Sequence, residues 1–488
     1  MPSTTSDREV VLSLISHTNV GKTALARTLL RKDVGEVADS AHVTVIPESY
    51  TLLEDGGVIA KLWDTPGFGS NLAKLAKRLR SSGNPVGWIL HQFWDRTRDK
   101  SLWCSQEAIR NVQSDADVVL YLVDASQSPA TIGYVDLEIE IIEWIGKPVL
   151  VFLNQTGAPD GERDRQNEQE WRDHLARHAI VKKVSTLDAF TRCWTVEHQI
   201  LAHAAEVMEG GKQRTARLLT DAWIARNLSI FDESIRSISG LVYFAMTDTE
   251  QLPQRSLFEK FVSILKKSEG NREFEKIQAA MYKRLAEKTK ETVNQLILLN
   301  GISGESAASL AKTSRETLAV KRGVEEPVAA VLGGVSSGLL GGICADLISG
   351  GMTLGGGAIV GMLVGGATTY ALVRGYNLTQ SGQNMVRWSE AHFIDQVKSI
   401  VMLYLAVSHF GRGRGAWQDP INNPARWQKV VESAMKVDEA GWRSLWKKGG
   451  FSADHERISG SLVKQLRRLL ETVFSELYPE SGPIFRKR

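Results

Sequence analysis

Short apolar runs punctuate the first part of the chain. Residues 10–15 (Val-Val-Leu-Ser-Leu-Ile), 58–63 (Val-Ile-Ala-Lys-Leu-Trp), 117–124 and 148–153 are dense in Val, Ile and Leu, and a turn or a polar residue closes each of them. Continuous apolar runs of this length read as strands buried on both faces. Residues 43–53 and 181–184 are two further strand candidates, and residues 24–30 read as a helix. Strands alternating with helical stretches predict an α/β domain, a mostly parallel sheet flanked by helices.

After residue 205 the spacing changes to steps of three and four. Leu218, Leu219, Ala222, Ile224, Ala225, Leu228, Ile230 and Phe231 are expected on one amphipathic helix. Residues 256–298 carry Phe258, Phe261, Ile264, Leu265, Phe274, Ile277, Met281, Leu285 and Val293 in the same way, with Lys and Glu between them. Residues 328–345 and 347–373 are free of charge, and Asp346 separates them. Gly334, Gly338 and Gly342, then Gly357, Gly361 and Gly365, recur every fourth residue, which puts each set on one helix face and lets two backbones approach closely. With Asp346-Leu347-Ile348-Ser349-Gly350-Gly351 as the turn, each arm has about 20 residues, enough to cross a hydrocarbon core. Two readings stand: a membrane-inserted helical hairpin with both ends in the cytoplasm, or a tightly packed hairpin inside a helical domain. Residues 376–488 are again helical in pattern and hold Trp388, Trp417, Trp427, Trp442 and Trp446, with a basic glycine-rich loop at 410–415. The expected order is an α/β domain over 1–205, then an all-α region: helices over 206–326, the glycine-rich apolar hairpin over 327–375 and helices over 376–488.

Composition narrows the class. A chain of 488 residues suggests about two to four domains. Charged residues make up 24% and hydrophobic ones 43%, ordinary for a globular protein. The net charge of +3 is no signal for nucleic acid. The three cysteines, Cys104, Cys193 and Cys344, are far apart, so neither disulfides nor zinc is indicated. The first residues have no apolar core of a signal peptide, and a cytoplasmic protein, associated with the inner membrane if the hairpin inserts, is expected.

Chemistry concentrates at Ser16-His17-Thr18-Asn19-Val20-Gly21-Lys22-Thr23, between the first strand and the first helix. Strand, glycine-containing loop, Lys, Thr, helix is the sequence of a phosphate-binding loop, with Ser16 where a glycine is usual. Ser16, Asn19, Val20, Gly21, Lys22, Thr23 and Ala24 would cradle the phosphates through the loop and the helix N-terminus. Lys22 would reach the terminal phosphates and the Thr23 hydroxyl would ligate Mg²⁺. Asp64-Thr65-Pro66-Gly67 closes the strand at 58–63; Asp64 can stand behind the Mg²⁺, and Gly67 can offer its N–H to a γ-phosphate. Thr44 is the candidate for a mobile threonine that closes on Mg²⁺ and γ-phosphate, although it also suits a plain strand over 43–53.

The order and spacing of these motifs resemble the Era/TrmE-like class of bacterial P-loop GTPases over residues 9 to about 200. The resemblance implies GTP and GDP as ligands. It assigns Asn154 and Gln155 to the guanine, with the main chain of Ser185 and Thr186 behind it, and Lys22, Thr44 and Gly67 to hydrolysis. It also implies Mg²⁺ at Thr23, Thr44 and Asp64, and K⁺ at Asn19, whose plainer reading is a loop residue suited to a turn. One position departs from the family: Gly157 stands where an Asp accepts two hydrogen bonds from guanine, a contact that normally confers base discrimination. Phe68 follows Gly67 where many signalling GTPases carry a Gln that orients water. Slow intrinsic turnover, stimulated by K⁺ or by dimerisation through this domain, is therefore expected. The stretch between Asp64 and the strand at 117 is longer than a compact relative needs, and the extra residues near 81–100, with Trp88, Ile89, Phe93 and Trp94, form either a partner-docking element or a covering aromatic patch. Nothing resembles the RNA-binding KH module of Era. Taken whole, the chain resembles a bacterial group of GTPases with a helical C-terminal domain of unknown function. The expected activity is a GTP-hydrolysing switch; a nucleotide-gated assembly protein with little turnover and a ribosome-associated GTPase are the alternatives.

Overall fold

The computed structural model describes residues 6–32, 34, 44, 46–69, 80, 87, 100–156, 162–187, 193–251, 272–301, 372–376, 384–409, 423–449 and 455–486. Several expected features lie outside them: nearly all of the 81–100 insertion, Gly157, the glycine-rich block as far as residue 371, and the basic loop at 410–415.

A six-stranded sheet carries the first part of the chain. Its strands are β1 (Glu9–Ser16), β2 (Glu48–Asp55), β3 (Val58–Asp64), β4 (Val118–Asp124), β5 (Val149–Asn154) and β6 (Val181–Thr186), in the order β2-β3-β1-β4-β5-β6. All neighbours pair in parallel except β2, which runs antiparallel to β3. β1 sits inside the sheet, and its side chains face two cores. Leu12 and Leu14 point to a cluster built with α1 (Lys22–Leu30), the helix Gln199–Val207 and Trp223. Ile15 points to the opposite cluster, where Ile109, Val135, Ile139 and Trp171 cover the sheet from the helices Lys100–Ser114, Gly133–Ile145 and Arg163–Leu175. Burial on both faces explains why the β1, β4 and β5 runs are continuously apolar instead of alternating. The predicted parallel sheet with flanking helices is therefore present. The expected strand over 43–53 begins only at Glu48, so Thr44 precedes β2 and is not part of it.

The described residues fall into two compact units, one of the residues up to Asn227 together with His409 and the other of the remaining residues from Leu228 on; the Asn227/Leu228 boundary lies within the helix Gly210–Thr247. Of the residues expected on that helix's buried face, Leu219, Leu228 and Phe231 are buried, whereas Leu218 is 52% exposed. Adjacent residues point 100° apart on a helix, so Leu218 and Leu219 cannot share a narrow seam. Trp223, Ile235 and Ile238 complete the seam. In the second unit Met281, Leu285 and Val293 are buried on the helix Arg272–Leu299, as their spacing predicts.

The second unit is mainly helical, with Glu390–Ser408, Asn423–Val437, Glu439–Gly449 and His455–Leu477 as its longer members after residue 389. Phe231, Tyr404, Phe474 and Phe485 meet in one aromatic cluster, with ring centroids 5.7 Å apart for Phe231 and Phe485 and 6.1 Å for Phe231 and Phe474. The unit also holds a three-stranded antiparallel sheet, β7 (Thr249–Gln251), β9 (Asn384–Trp388) and β8 (Leu372–Tyr376), in the order β7-β9-β8. Strands this short carry too few residues to show a two-residue period, and the all-α expectation lacks them. Residues 372–375, assigned to the hairpin, belong to β8 instead. Among the described residues no helix is long and apolar enough to cross a membrane.

Phe231 is 1% exposed at the centre of the aromatic cluster. Phe231→Ala is expected to destabilise the C-terminal unit by about 3–5 kcal/mol, read as a lower midpoint of its unfolding transition in urea.

Candidate functional site

The site forms where β1 leaves the sheet. Leu14 of β1 is in register with Asp64 of β3, and Ser16 with Leu122 of β4, so the loop after β1 emerges at the carboxyl ends of its neighbours. The loop turns into α1 through two left-handed residues. Asn19 has φ 65°, a conformation Asn tolerates better than most side chains, and Gly21 has φ 99° at the helix N-cap. A Cβ on Gly21 would lie 2.7 Å from Asn154 Nδ2, so the position is closed to other residues by both conformation and space.

Asn154, at the end of β5, donates from Nδ2 to Val20 O at 2.6 Å. Gln155 donates from Nε2 to Asn19 O at 3.4 Å. Both residues expected at a base therefore rest against the phosphate loop. Ser185 and Thr186 end β6 in register with Phe152 and Leu153, beside the approach to Asn154. Ala24 is buried in the first turn of α1.

Lys22, Thr23, Thr44 and Asp64 converge below the loop. Lys22 Nζ donates to Ser16 Oγ at 2.9 Å and to His17 O at 3.4 Å. Ser16, the departure from glycine, thus supplies an acceptor for the lysine. Burial lowers the Lys22 pKa from 10.5 to about 8, against the opposing pull of Asp64 and Glu138. Thr23 Oγ1 donates to Asp64 Oδ2 at 2.6 Å and lies 3.0 Å from Thr44 Oγ1. Thr44 is thus brought to the site and not into a strand. Burial raises the Asp64 pKa to about 6, opposed by the Thr23 hydrogen bond and by Lys22. Asp64 Oδ1 is buried without a hydrogen-bond partner among the described residues. Two hydroxyls and a carboxylate with an unused oxygen fit a small, hard divalent cation.

Gly67 closes the other side. A Cβ there would lie 2.9 Å from Thr18 Cα and 3.1 Å from Lys22 Nζ. The chain beyond it is fixed, because Phe68 N donates to Ser16 O at 2.9 Å and Thr18 N to Phe68 O at 3.2 Å. Phe68 itself is fully buried in the cluster with Ile15, Ala108 and Tyr121, so its side chain is core.

The sequence reading missed one cluster. His17 Nδ1 lies 2.7 Å from Glu138 Oε1, Tyr121 OH donates to Glu138 Oε2 at 2.6 Å, and the His17 ring stacks on Tyr134 with centroids 4.0 Å apart. Burial pushes the Glu138 pKa up, and the hydrogen bond from His17 is the leading opposing influence. A signal existed: Glu138 follows Val135 by three residues and precedes Ile142 by four, so a carboxylate stands on the buried face of its helix.

Residues 11–155 match the family described as 50S ribosome-binding GTPase. Among solved structures, the chain is similar to Era in complex with MgGDPNP and nucleotides 1506–1542 of 16S ribosomal RNA, at 18% identity and TM-score 0.27 over 37% of this chain and 51% of that one. An Era variant from Aquifex aeolicus bound to GDP and AlF4⁻ matches at 18% identity and TM-score 0.30, over 42% of this chain and 58% of that one. Toc33 from Arabidopsis thaliana, in a dimerization-deficient form, matches at 14% identity and TM-score 0.26, over 38% of this chain and 73% of that one. The chain spans little more than half the length of the two Era structures. No curated protein matches it.

Two predictions follow from the geometry and its charges. Asp64 is ionised above about pH 6 and Lys22 is protonated below about pH 8, so affinity for a Mg²⁺-nucleotide should be highest between those values and decline on both sides. Fluorescence titration with mant-GDP from pH 5 to 9.5 measures the profile. Gly21→Ala adds a left-handed penalty of about 1–2 kcal/mol and a collision with Asn154, and should weaken mant-GDP binding by at least about tenfold.

Proposed function

We propose that this chain, whose residues 11–155 form a P-loop GTPase domain, binds GTP and hydrolyses it to GDP and phosphate as a molecular switch. The supporting observation is the convergence of Lys22, Thr23, Thr44 and Asp64 beneath one loop, with Gly67 against Thr18. In this reading Lys22 binds the β- and γ-phosphates, the loop N–H groups orient them, and Gly67 senses the γ-phosphate through its N–H. Thr23, Thr44 and Asp64 would hold Mg²⁺, which neutralises phosphate charge when bound. Asn154 and Gln155, with the main chain of Ser185 and Thr186, form the guanine side. The position after Gly67 offers no polar group to the attacking water, since Phe68 is core. Intrinsic hydrolysis is therefore slow, and K⁺ held with the help of Asn19, or dimerisation through this domain, accelerates it.

In this reading the switch acts at the inner membrane, which the two charge-free runs 328–345 and 347–373 support. A second reading, a ribosome-associated GTPase, draws on the description of the matching family. Co-sedimentation with ribosomal particles that depends on nucleotide would favour it over the membrane.

Calorimetry should give tighter binding of GDP than of ADP; equal affinities would remove guanine preference, which the Gly157 position puts at stake. Phosphate release should rise when K⁺ replaces Na⁺, and Lys22→Ala should abolish both binding and turnover. Fast turnover that is identical in the two salts would refute the cation's role. Retention in a carbonate-washed membrane pellet, lost on deletion of 328–373, is the expected result for an inserted hairpin.

A further inference from the structure

The His17 cluster lies directly under the phosphate loop. Glu138 is fully buried, and both of its oxygens have a donor: His17 Nδ1 at 2.7 Å and Tyr121 OH at 2.6 Å. A carboxylate only accepts, so Nδ1 carries the proton and the ring is held in one tautomer. Tyr134 and Glu138 stand four residues apart on the helix Gly133–Ile145, which brings a ring face and a carboxylate to the same imidazole. Tyr121 is in register with Ile15, so β4 supports the end of β1 at the same level.

The backbone of His17 is pinned as firmly as its ring. His17 bridges Phe68, and its carbonyl accepts from Ser16 Oγ at 2.6 Å and from Lys22 Nζ at 3.4 Å. Any rotation of residue 17 would move that carbonyl, and Lys22 with it. A buried carboxylate is costly unless it is fully paired, so a cluster of this kind favours one position of His17 strongly. A loop that must aim several N–H groups at one polyphosphate gains affinity when its conformation is set beforehand.

We propose that His17, held by Glu138 and Tyr121, is a positioning residue that preorganises the phosphate loop and the Lys22 ammonium for the β- and γ-phosphates. This rests on reading the site as a nucleotide site. His17 acts through the loop and Lys22, not on the reacting atoms.

The test compares the full-length wild-type protein with His17→Ala, Glu138→Gln and the triple variant His17→Leu/Glu138→Leu/Tyr121→Phe. Mant-GDP affinity and thermal midpoint are read together. The triple variant leaves no polar group of the cluster buried, so it answers the question even if His17→Ala does not fold. His17→Ala and the triple variant should each bind mant-GDP at least about tenfold more weakly, the loss of one well-placed buried hydrogen bond. In the triple variant the thermal midpoint should stay close to wild type, which separates positioning from stability. Glu138→Gln can still accept from His17 Nδ1 through its amide oxygen, with its amide N–H turned to the Tyr121 hydroxyl oxygen, and should recover most of the affinity. A folded triple variant within about twofold of wild type overturns the proposal, as does Glu138→Gln binding no better than the triple variant. Wild-type protein that binds no guanine nucleotide overturns the reading of the site itself, and the proposal with it.

Discussion

Register between parallel strands governs this domain. With Leu14 opposite Asp64 and Asp124 opposite Asn154, β1, β3 and β5 deliver their last residues to one end of the sheet. The loop after β1 then has a carboxylate on one side and an amide on the other without any special folding of its own. Slipping β1 by one residue against β3 would turn its apolar residues to the wrong cores, and burial on both faces opposes that strongly. The site's geometry is thus inherited from hydrophobic packing well below it.

Electrostatics sharpen what register assembles. Lys22, Asp64 and Glu138 are all buried, and burial acts on each in the direction of its neutral form. Each keeps a compensating partner: Ser16 for the lysine, Thr23 for the aspartate, His17 and Tyr121 for the glutamate. Between about pH 6 and pH 8 the lysine and the aspartate are both charged, each held by a neutral hydroxyl. Phe68 shows the opposite choice, because an apolar side chain in the core locks the chain beside the loop but gives water nothing to hold.

The C-terminal unit obeys a different logic. Its helices meet through aromatic rings around Phe231 and Phe474, and a small sheet brings β8 and β7 to opposite sides of β9. Arg387 lies 3.6 Å from the centroid of the Trp446 ring, while the Trp446 indole donates to Trp388 O at 3.2 Å, so this sheet is tied to the helix Glu439–Gly449. None of these contacts is periodic along the chain, which is why helical spacing alone gave the helices and not the sheet.

The sequence by itself determined the strand–helix alternation of the first unit, the phosphate-loop motif, the nomination of Lys22, Thr23 and a distant Asp64 for one site, and the helical character of the second unit. These are legible because buried parallel strands are uniformly apolar and because a phosphate loop needs small and positively charged residues at set spacings. Tertiary structure alone decided that Thr44 meets Thr23, that Ser16 receives the lysine, that Leu218 faces outward while Trp223 faces in, and that Glu138 reaches the loop across more than a hundred residues of chain. Those facts depend on which strands become neighbours, and neighbours in a parallel sheet are set by crossovers whose order no local pattern records.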